Sequence, residues 1–312
     1  MSLADILPDD RTYLITTEKD KDDTCLERSI AQVGLLSPPI LQPAGEGVCR
    51  VVTGFRRLAV LRRLNFSKAP CRLVNPATDA LACLKIAIAD NAWQRSLNTG
   101  EQSRAVYKLR RLIDDPKDLR PVAASLGLPS SPDAIDKLLA IHALPEAVFN
   151  LVAAGSLAFS TGLSLAAMAE PEVLELAGLF TDLKLGVNRQ REALLLIQEI
   201  TAVEGISCLD LLVDIRRQAV VNEPGADRGL RCDQLFRYLH RRRFPHLSRA
   251  EEEFAEKVRA LKPGPRAKLS PPADFEGPDY TLSLTFRNRK DLDAHLALLR
   301  RIIDGDLISG EK

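Results

Sequence analysis

This chain is poor in aromatic residues, has no paired metal-ligand cysteines, and carries almost no net charge. Aromatics make up 5% of its 312 residues, with one tryptophan. Its cores must therefore be built from Leu, Ala, Val and Ile, a balance that favours helices. The six cysteines (Cys25, Cys49, Cys71, Cys83, Cys208 and Cys232) include no CxxC pair, which argues against a zinc ribbon. His142, His240, His246 and His295 are too scattered along the chain to suggest a metal cluster. There is no Walker-type loop, no long glycine-rich loop and no nucleophile–base–acid arrangement. The net charge is +1, so no global field draws the chain to nucleic acid or membrane. Either kind of binding must come from local patches. The start of the chain, Ala4 to Asp10, mixes acids with a proline instead of an apolar leader, which points to a cytoplasmic protein with reduced thiols. Ala147 to Ala169 is uncharged and nearly long enough to span a bilayer. Asn150, Gly155, Ser156, Ser160, Thr161, Gly162 and Ser164 interrupt it, so it reads as a buried helical hairpin.

What is present is a soluble globular pattern, 46% hydrophobic and 27% charged, long enough for two or three domains. Short elements alternate up to about residue 75. A helix is predicted over Thr24 to Val33, stopped by Gly34. Strands follow over Ile40 to Gln42, Val48 to Val52 and Cys71 to Val74, with a turn at Gly45-Glu46-Gly47 and a helix over Arg56 to Asn65. From Asp79 the pattern turns helical: Ala80 to Trp93, Thr99 to about Ile113, Leu119 to Leu126, and Pro132 to Ala143 beyond Gly127. The last two have helix-turn-helix spacing. Further helices are predicted over Glu146 to Ala154, Leu163 to Met168, Pro171 to Leu185, Arg189 to Val203 and Cys208 to Val220. Linkers are expected at Asn222 to Gly229 and at the proline-rich Leu261 to Pro278, with a basic helix, Leu235 to Arg243, between them. A strand, Tyr280 to Phe286, and an amphipathic helix, Lys290 to Ile303, close the chain. The predicted class is α+β and mostly helical: a small α/β N-terminal domain (1–98), an all-α middle domain with the helix-turn-helix (99–220), a basic helix with linkers (221–278), and a small αβ C-terminal unit (279–312).

Four constellations carry chemistry. Gly54-Phe55-Arg56-Arg57 follows a strand and opens a helix. A helix start carries partial positive charge, so two arginines there need an anion between them, and glycine lets the backbone approach it. That makes Gly54, Arg56 and Arg57 a candidate phosphate clamp, against a simply solvated basic helix. Asp90-Asn91 ends a later helix, with Arg95, Leu97-Asn98 and Glu101 downstream. A carboxylate beside a carboxamide suits Mg²⁺ held by a nucleotide, and it also suits an ordinary helix end. In the helix-turn-helix the second helix would enter a DNA groove, yet Asp133 and Asp136 oppose its one firm cation, Lys137. Arg231 to Arg249 is the densest basic run, with Arg241, Arg242 and Arg243 at its centre and aromatics interleaved. It reads as a DNA-backbone surface or as a solvated face.

The order of these pieces resembles the ParB partition protein family. Arg28-Ser29-Ile30-Ala31-Gln32-Val33-Gly34 through Pro38-Pro39-Ile40 is similar to that family's opening helix and strand. Val51-Val52-Thr53-Gly54-Phe55-Arg56-Arg57 resembles its Gly-Glu-Arg-Arg box, and Asp90-Asn91 its Glu-Asn box. Leu97-Asn98 and Glu101 match the segment that follows. Val122-Ala123 to Gly127, Ile135 to Leu144-Pro145, and Gly155-Ser156-Leu157 resemble its helix-turn-helix and the step after it. The match covers roughly residues 24 to 170. Each motif is loose, and five in order are more specific than one. The resemblance implies a ParB/sulfiredoxin-like N-terminal fold that binds CTP with Mg²⁺ and closes a dimer into a clamp on double-stranded DNA. It also implies a C-terminal dimerisation unit, a Walker-type partition ATPase as partner, and a cytoplasmic place on nucleoid or plasmid. Gly54, Arg56 and Arg57 would hold the triphosphate, Asp90 and Asn91 the metal, and Ser131 and Lys137 would lie on the DNA-reading face. Three departures stand out. Phe55 replaces the box glutamate and cannot position water or accept a proton, which speaks against CTP hydrolysis. No Gln-Pro-Arg segment occurs around Thr16 to Asp23. Lys137 and Ala140 stand where the family has asparagine and arginine. Two other readings stay open: a DNA-binding regulator or adaptor with a vestigial pocket, and a nucleotide-dependent enzyme on the same fold, using Cys49 or Glu46.

Overall fold

A computed structural model of the chain describes residues 1–17, 23–45, 47–217 and 227–304. Glu46, most of the expected first linker and the end of the helix expected over Cys208 to Val220 lie outside the described residues. Contacts divide the chain into two units, Met1–Arg191 and Glu192–Lys312.

In the first unit, α1 (Thr24–Val33) is the predicted helix with the predicted bounds, ended by Gly34 at φ +79°. Strands β1 (Ile40–Pro43) and β2 (Cys49–Thr53) form an antiparallel hairpin turned by Gly45 and Gly47, both at positive φ, where glycine meets no Cβ penalty. Helix α2 (Phe55–Arg63) crosses over and returns the chain to β3 (Arg72–Leu73), parallel to β1, giving the order β2-β1-β3. Successive residues of a strand face opposite sides. Val51 accordingly joins a core of Ile30, Leu41, Leu58 and Leu61 beneath α1 and α2, while Val52 joins a second core on the other side. That second core draws on α3 (Ala80–Ala92) through Leu84 and Ile88, and on α4 (Thr99–Arg110) through Val106 and Leu109.

Helices α5 (Pro116–Ser125) and α6 (Pro132–His142) join the same core through Leu119, Ala123, Ile135 and Leu138, with Gly127 at φ +71° in the turn between them. The uncharged stretch folds as the expected hairpin: α7 (Glu146–Ala153), a turn through Gly155, and α8 (Phe159–Leu165). No helix among the described residues is long and apolar enough to cross a membrane. Helices α9 (Glu170–Asp182) and α10 (Val187–Glu204) follow, and the division into units falls within α10.

The second unit contains α11 (Cys208–Arg217) and α12 (Arg228–Arg243). The basic helix begins earlier than expected, because the Asp227 carboxylate accepts from the Leu230 N–H at 3.2 Å and caps it, so Arg228 and Gly229 are helical and not linker. Two further corrections follow. Helix α13 (Pro245–Leu261) was not anticipated: Pro245 sits in its first turn, where a missing N–H costs nothing. The stretch expected to be a proline-rich linker holds β4 (Ala267–Ser270), which pairs antiparallel with β5 (Thr281–Leu284). Its prolines flank the strand and take no donor from its ladder. Helix α14 (Arg289–Asp304) packs Leu298 and Ile302 against Leu261, Leu269, Leu282 and Leu284.

Candidate functional site

Gly54 sets the geometry. It occupies a left-handed conformation (φ +93°) between β2 and α2, and a Cβ there would stand 2.9 Å from the Cβ of Pro39. Only glycine fits both the torsion and that approach. Having no side chain, it offers no cap to the first turn of α2, whose residues line a cavity of about 480 Å³. Gly54, Phe55, Arg56, Arg57, Asp90 and Asn91 all line it, and so do Tyr13, Ser37, Gln94 and Arg95. The residues nominated from the box and from Asp90-Asn91, 33 positions apart at Arg57 and Asp90, therefore meet in one place.

The anion required beside the arginines is partly internal. Arg56 Nε donates to Asp23 Oδ1 at 2.8 Å, and Arg63 Nη2 reaches Asp23 Oδ2 at 3.2 Å. Burial of Asp23 opposes its ionisation, but hydrogen bonds and charge from Arg56 and Arg63 outweigh it and hold the carboxyl below its ordinary range. Arg57 is held differently. Its Nη1 donates to the carbonyl and hydroxyl oxygens of Ser37 at 2.6 and 2.7 Å, while Asp90 Oδ2 lies 3.6 Å from Nη2. Hydrogen bonds to neutral oxygens orient the guanidinium without neutralising it.

Asp90 also accepts from Gln94 Nε2 at 3.3 Å, and the Asn91 amide donates to the Ala87 carbonyl at 2.8 Å, leaving a carboxamide oxygen as acceptor. Arg95 is fixed by a fork onto Glu101, 2.6 Å on each prong, and Glu101 has a fully buried side chain. Glu101 forms a capping box with Asn98 at the start of α4, a stronger start signal than the sequence alone conveyed. Of the three lining arginines, Arg56 is paired with Asp23 and Arg95 with Glu101, which leaves Arg57 as the one whose shortest bonds go to neutral oxygens. As a metal site the cavity is incomplete on its own, since no group of three His, Cys, Asp or Glu gathers among the described residues. The Asp90 carboxylate and the Asn91 carboxamide oxygen are the two side-chain oxygens of that pair on the cavity lining.

Sequence reasoning did not nominate Ser37 or Asp23, which orient the two arginines. A serine before Pro38-Pro39 was the available signal for the first; nothing local marked the second. Of the residues weighed for enzymatic roles, Cys49 is buried in the core, and burial, then the charge of Asp5, pushes its thiol up, which keeps it protonated. Phe55 lines the cavity, with its ring against the α1–α2 core.

The DNA-contact candidates lie elsewhere. Ser131 caps α6, its Oγ accepting from the Ala134 N–H at 3.3 Å. Lys137, further along the helix, pairs with Asp133 at 2.7 Å, and Asp136 is exposed beside it. In the second unit, Arg241 pairs with Glu252. Arg242 forks onto Glu204 at 2.7–3.0 Å and reaches Asp214 at 2.9 Å and the Tyr238 hydroxyl at 2.6 Å. Arg243 pairs with Glu199 at 2.7 Å and lies over the Phe244 ring. The centre of the densest basic run, Arg241 to Arg243, is thus paired with carboxylates of its own unit.

No protein-family model and no curated protein matches the chain. Among solved structures, the C-terminally truncated chromosome-partitioning protein ParB from Caulobacter crescentus, complexed to the centromeric parS site, is similar at 22% identity and a TM-score of 0.35, over 61% of this chain and 94% of that one. The same protein complexed with CTP-gamma-S is similar at 24% identity and a TM-score of 0.27, over 57% and 94%. Both are ParB, the family that the motif order resembles.

Proposed function

We propose that this chain is a ParB-like DNA-binding protein whose first 98 residues hold CTP in the cavity at the start of α2. The observation that carries the reading is the convergence of Gly54, Arg56, Arg57, Asp90 and Asn91 on that one cavity. Arg57 is the principal phosphate ligand, because Ser37 orients it and no carboxylate closes on it within 3.5 Å among the described residues. Arg56 joins by exchanging Asp23 for phosphate oxygens. Asp90 and Asn91 hold Mg²⁺, which neutralises phosphate charge when bound.

Residues 99–220 supply the helix-turn-helix, with Ser131 and Lys137 on its DNA-facing side. For Arg241, Arg242 and Arg243 to track a DNA backbone, each must release an internal carboxylate, so their contribution is smaller than their number suggests. The C-terminal unit dimerises through α14, which exposes Leu292, Leu296 and Ile303, at the 4- and 7-residue spacing of a helix-pairing seam, beside its buried Leu298 and Ile302. Plasmid or chromosome partition is the process such a clamp serves.

Trp93, the only tryptophan, is 83% exposed and two residues from Asn91, so it reports on the cavity. Titrating CTP with Mg²⁺ into the full chain should change its fluorescence saturably, and calorimetry should agree. No binding at millimolar CTP would sink the nucleotide reading. The rival is a DNA-binding regulator with a vestigial pocket, favoured by the Arg56–Asp23 pair that already satisfies one arginine. Salt-dependent binding to any duplex, unchanged by nucleotide, would select it.

A further inference from the structure

Residues Arg11 to Thr17 belong to no helix or sheet, yet Tyr13, Ile15 and Thr16 line the cavity assigned to the nucleotide. Backbone outside regular structure must still find donors for its carbonyls. Side chains of α4 supply them. Lys108 Nζ donates to the carbonyls of Arg11 and Thr12 at 2.9 and 2.6 Å. Arg104 Nη1 donates to the carbonyl of Thr16 at 2.6 Å, with that of Ile15 at 3.5 Å. At the start of the helix the Asn98 amide donates to Thr17 Oγ1 at 3.3 Å. The segment therefore runs antiparallel to α4, from Lys108 beside Arg11 to Asn98 beside Thr17.

Gly100, Arg104 and Lys108 stand four residues apart, which places them on one face of the helix. Gly100 belongs to the same arrangement. A Cβ there would lie 2.3 Å from the Ala153 Cβ and 3.3 Å from Thr17 Cγ2, so glycine is what lets Thr17 and α7 close on α4. The Arg104 guanidinium also lies over the Phe149 ring of α7, 5.4 Å from its centroid, which steadies it. The side chains of Tyr13, Leu14 and Ile15 are buried, and the Tyr13 hydroxyl donates to Gln42 Oε1 at 2.9 Å. Packing thus fixes the segment to the core, while α4 fixes the course of its backbone. Helix α4 is in turn pinned to α6, where Ser103 Oγ donates to the Leu138 carbonyl at 2.7 Å.

Neither Arg104 nor Lys108 lines the nucleotide cavity. We infer that both are positioning residues for it: without touching the ligand, they hold the wall of Tyr13, Ile15 and Thr16 in place against the arginines of α2 and the Asp90-Asn91 pair of α3. This rests on the nucleotide reading above and adds that the cavity is completed by a helix of the helix-turn-helix part of the chain, not by the α/β part alone.

The test is calorimetric titration of the full chain with CTP and Mg²⁺, well below each variant's melting midpoint, together with hydrogen exchange over residues 11–17 in the ligand-free chain. Arg104→Met keeps a long side chain and removes the donors, so it should weaken CTP binding about tenfold, and Lys108→Met about threefold. Arg104→Lys restores one donor and should recover most of the loss. Exchange over residues 11–17 should quicken in both methionine variants. Arg110→Met is the comparison. Arg110 makes the same kind of bond, to the carbonyls of Ile113 and Asp114 at 2.8 and 2.9 Å, at the far end of α4. Its loss should leave CTP affinity and the exchange of residues 11–17 unchanged, whatever it does to the melting curve. Lys108→Met carries the same test should Arg104→Met not fold. The positioning role is overturned if both methionine variants bind CTP like the unaltered chain, if Arg110→Met weakens binding equally, or if exchange quickens with no loss of affinity. No CTP binding by the unaltered chain overturns the nucleotide reading itself, and the positioning role with it.

Discussion

Two of the chain's arginine runs, Arg56-Arg57 and Arg241-Arg242-Arg243, look alike on paper, and the fold treats them differently. Arg57 is oriented by a serine and stands 3.6 Å from the Asp90 carboxylate. Arg242 is enclosed by Glu204, Asp214 and Tyr238, with its side chain 22% exposed. The first arrangement keeps a directed positive charge at a cavity; the second uses its charge to tie α12 to α10 and α11. Density of basic residues therefore does not measure capacity to bind an anion. What matters is how many carboxylates the fold brings within reach.

The sharpest way to break this comparison is to remove one arginine from each run. Arg57→Ala is expected to lower CTP affinity about a hundredfold, about 3 kcal/mol, while Arg242→Ala leaves that affinity unchanged; calorimetric titration of both variants decides it. If Arg242→Ala were the damaging change, the assignment of roles would be reversed. Arg242→Ala should instead cost stability, about 1–2 kcal/mol after allowing for partial solvent exposure, because it strands Glu204 and Asp214. Urea unfolding measures that loss, and an unchanged midpoint would show the network to be ornamental.

A pH titration separates the units further. His142 titrates at about 4 in the folded first unit against 6.5 when unfolded, burial being the main cause. Between those values the unfolded chain takes up a proton that the folded chain refuses, so stability falls as pH drops from 6.5 to 4. His142→Phe should flatten that slope in thermal melts, and a slope identical to that of the unaltered chain would refute the cause. The smallest expected effect is at the start of α4. Asn98→Ala removes half of the capping box, costs about 1 kcal/mol, and loosens the Glu101 that holds Arg95, so CTP affinity should weaken about twofold. Melting curves and the same calorimetry read both.

Much of the first unit was legible because its signals are local. Helix α1 was found with its observed bounds, since Leu26, Ile30 and Val33 repeat at helical spacing and Gly34 stops it. Gly54 stood out as the residue that lets the backbone approach an anion at the start of α2, and the structure adds its positive φ. The second unit was read less well. Helix α13, with Pro245 in its first turn, was not expected at all. The four residues of β4 lie among prolines, too short for alternation to register, and only pairing with β5 makes them a strand. The site was half legible: the box and Asp90-Asn91 could be named, whereas Asp23 and Ser37 could not be attached to Arg56 and Arg57.

Periodicity, caps and glycine positions follow from interactions within a few residues, so the sequence by itself determined the mostly helical build, the small three-stranded sheet and the pair of motifs to watch. Only the tertiary structure decided which charges are spent. The partners of Arg56, Arg57, Arg242 and Arg243 lie 33, 20, 38 and 44 positions away in the chain. Coulomb attraction depends on distance through space, and nothing along the chain records it until the helices have packed.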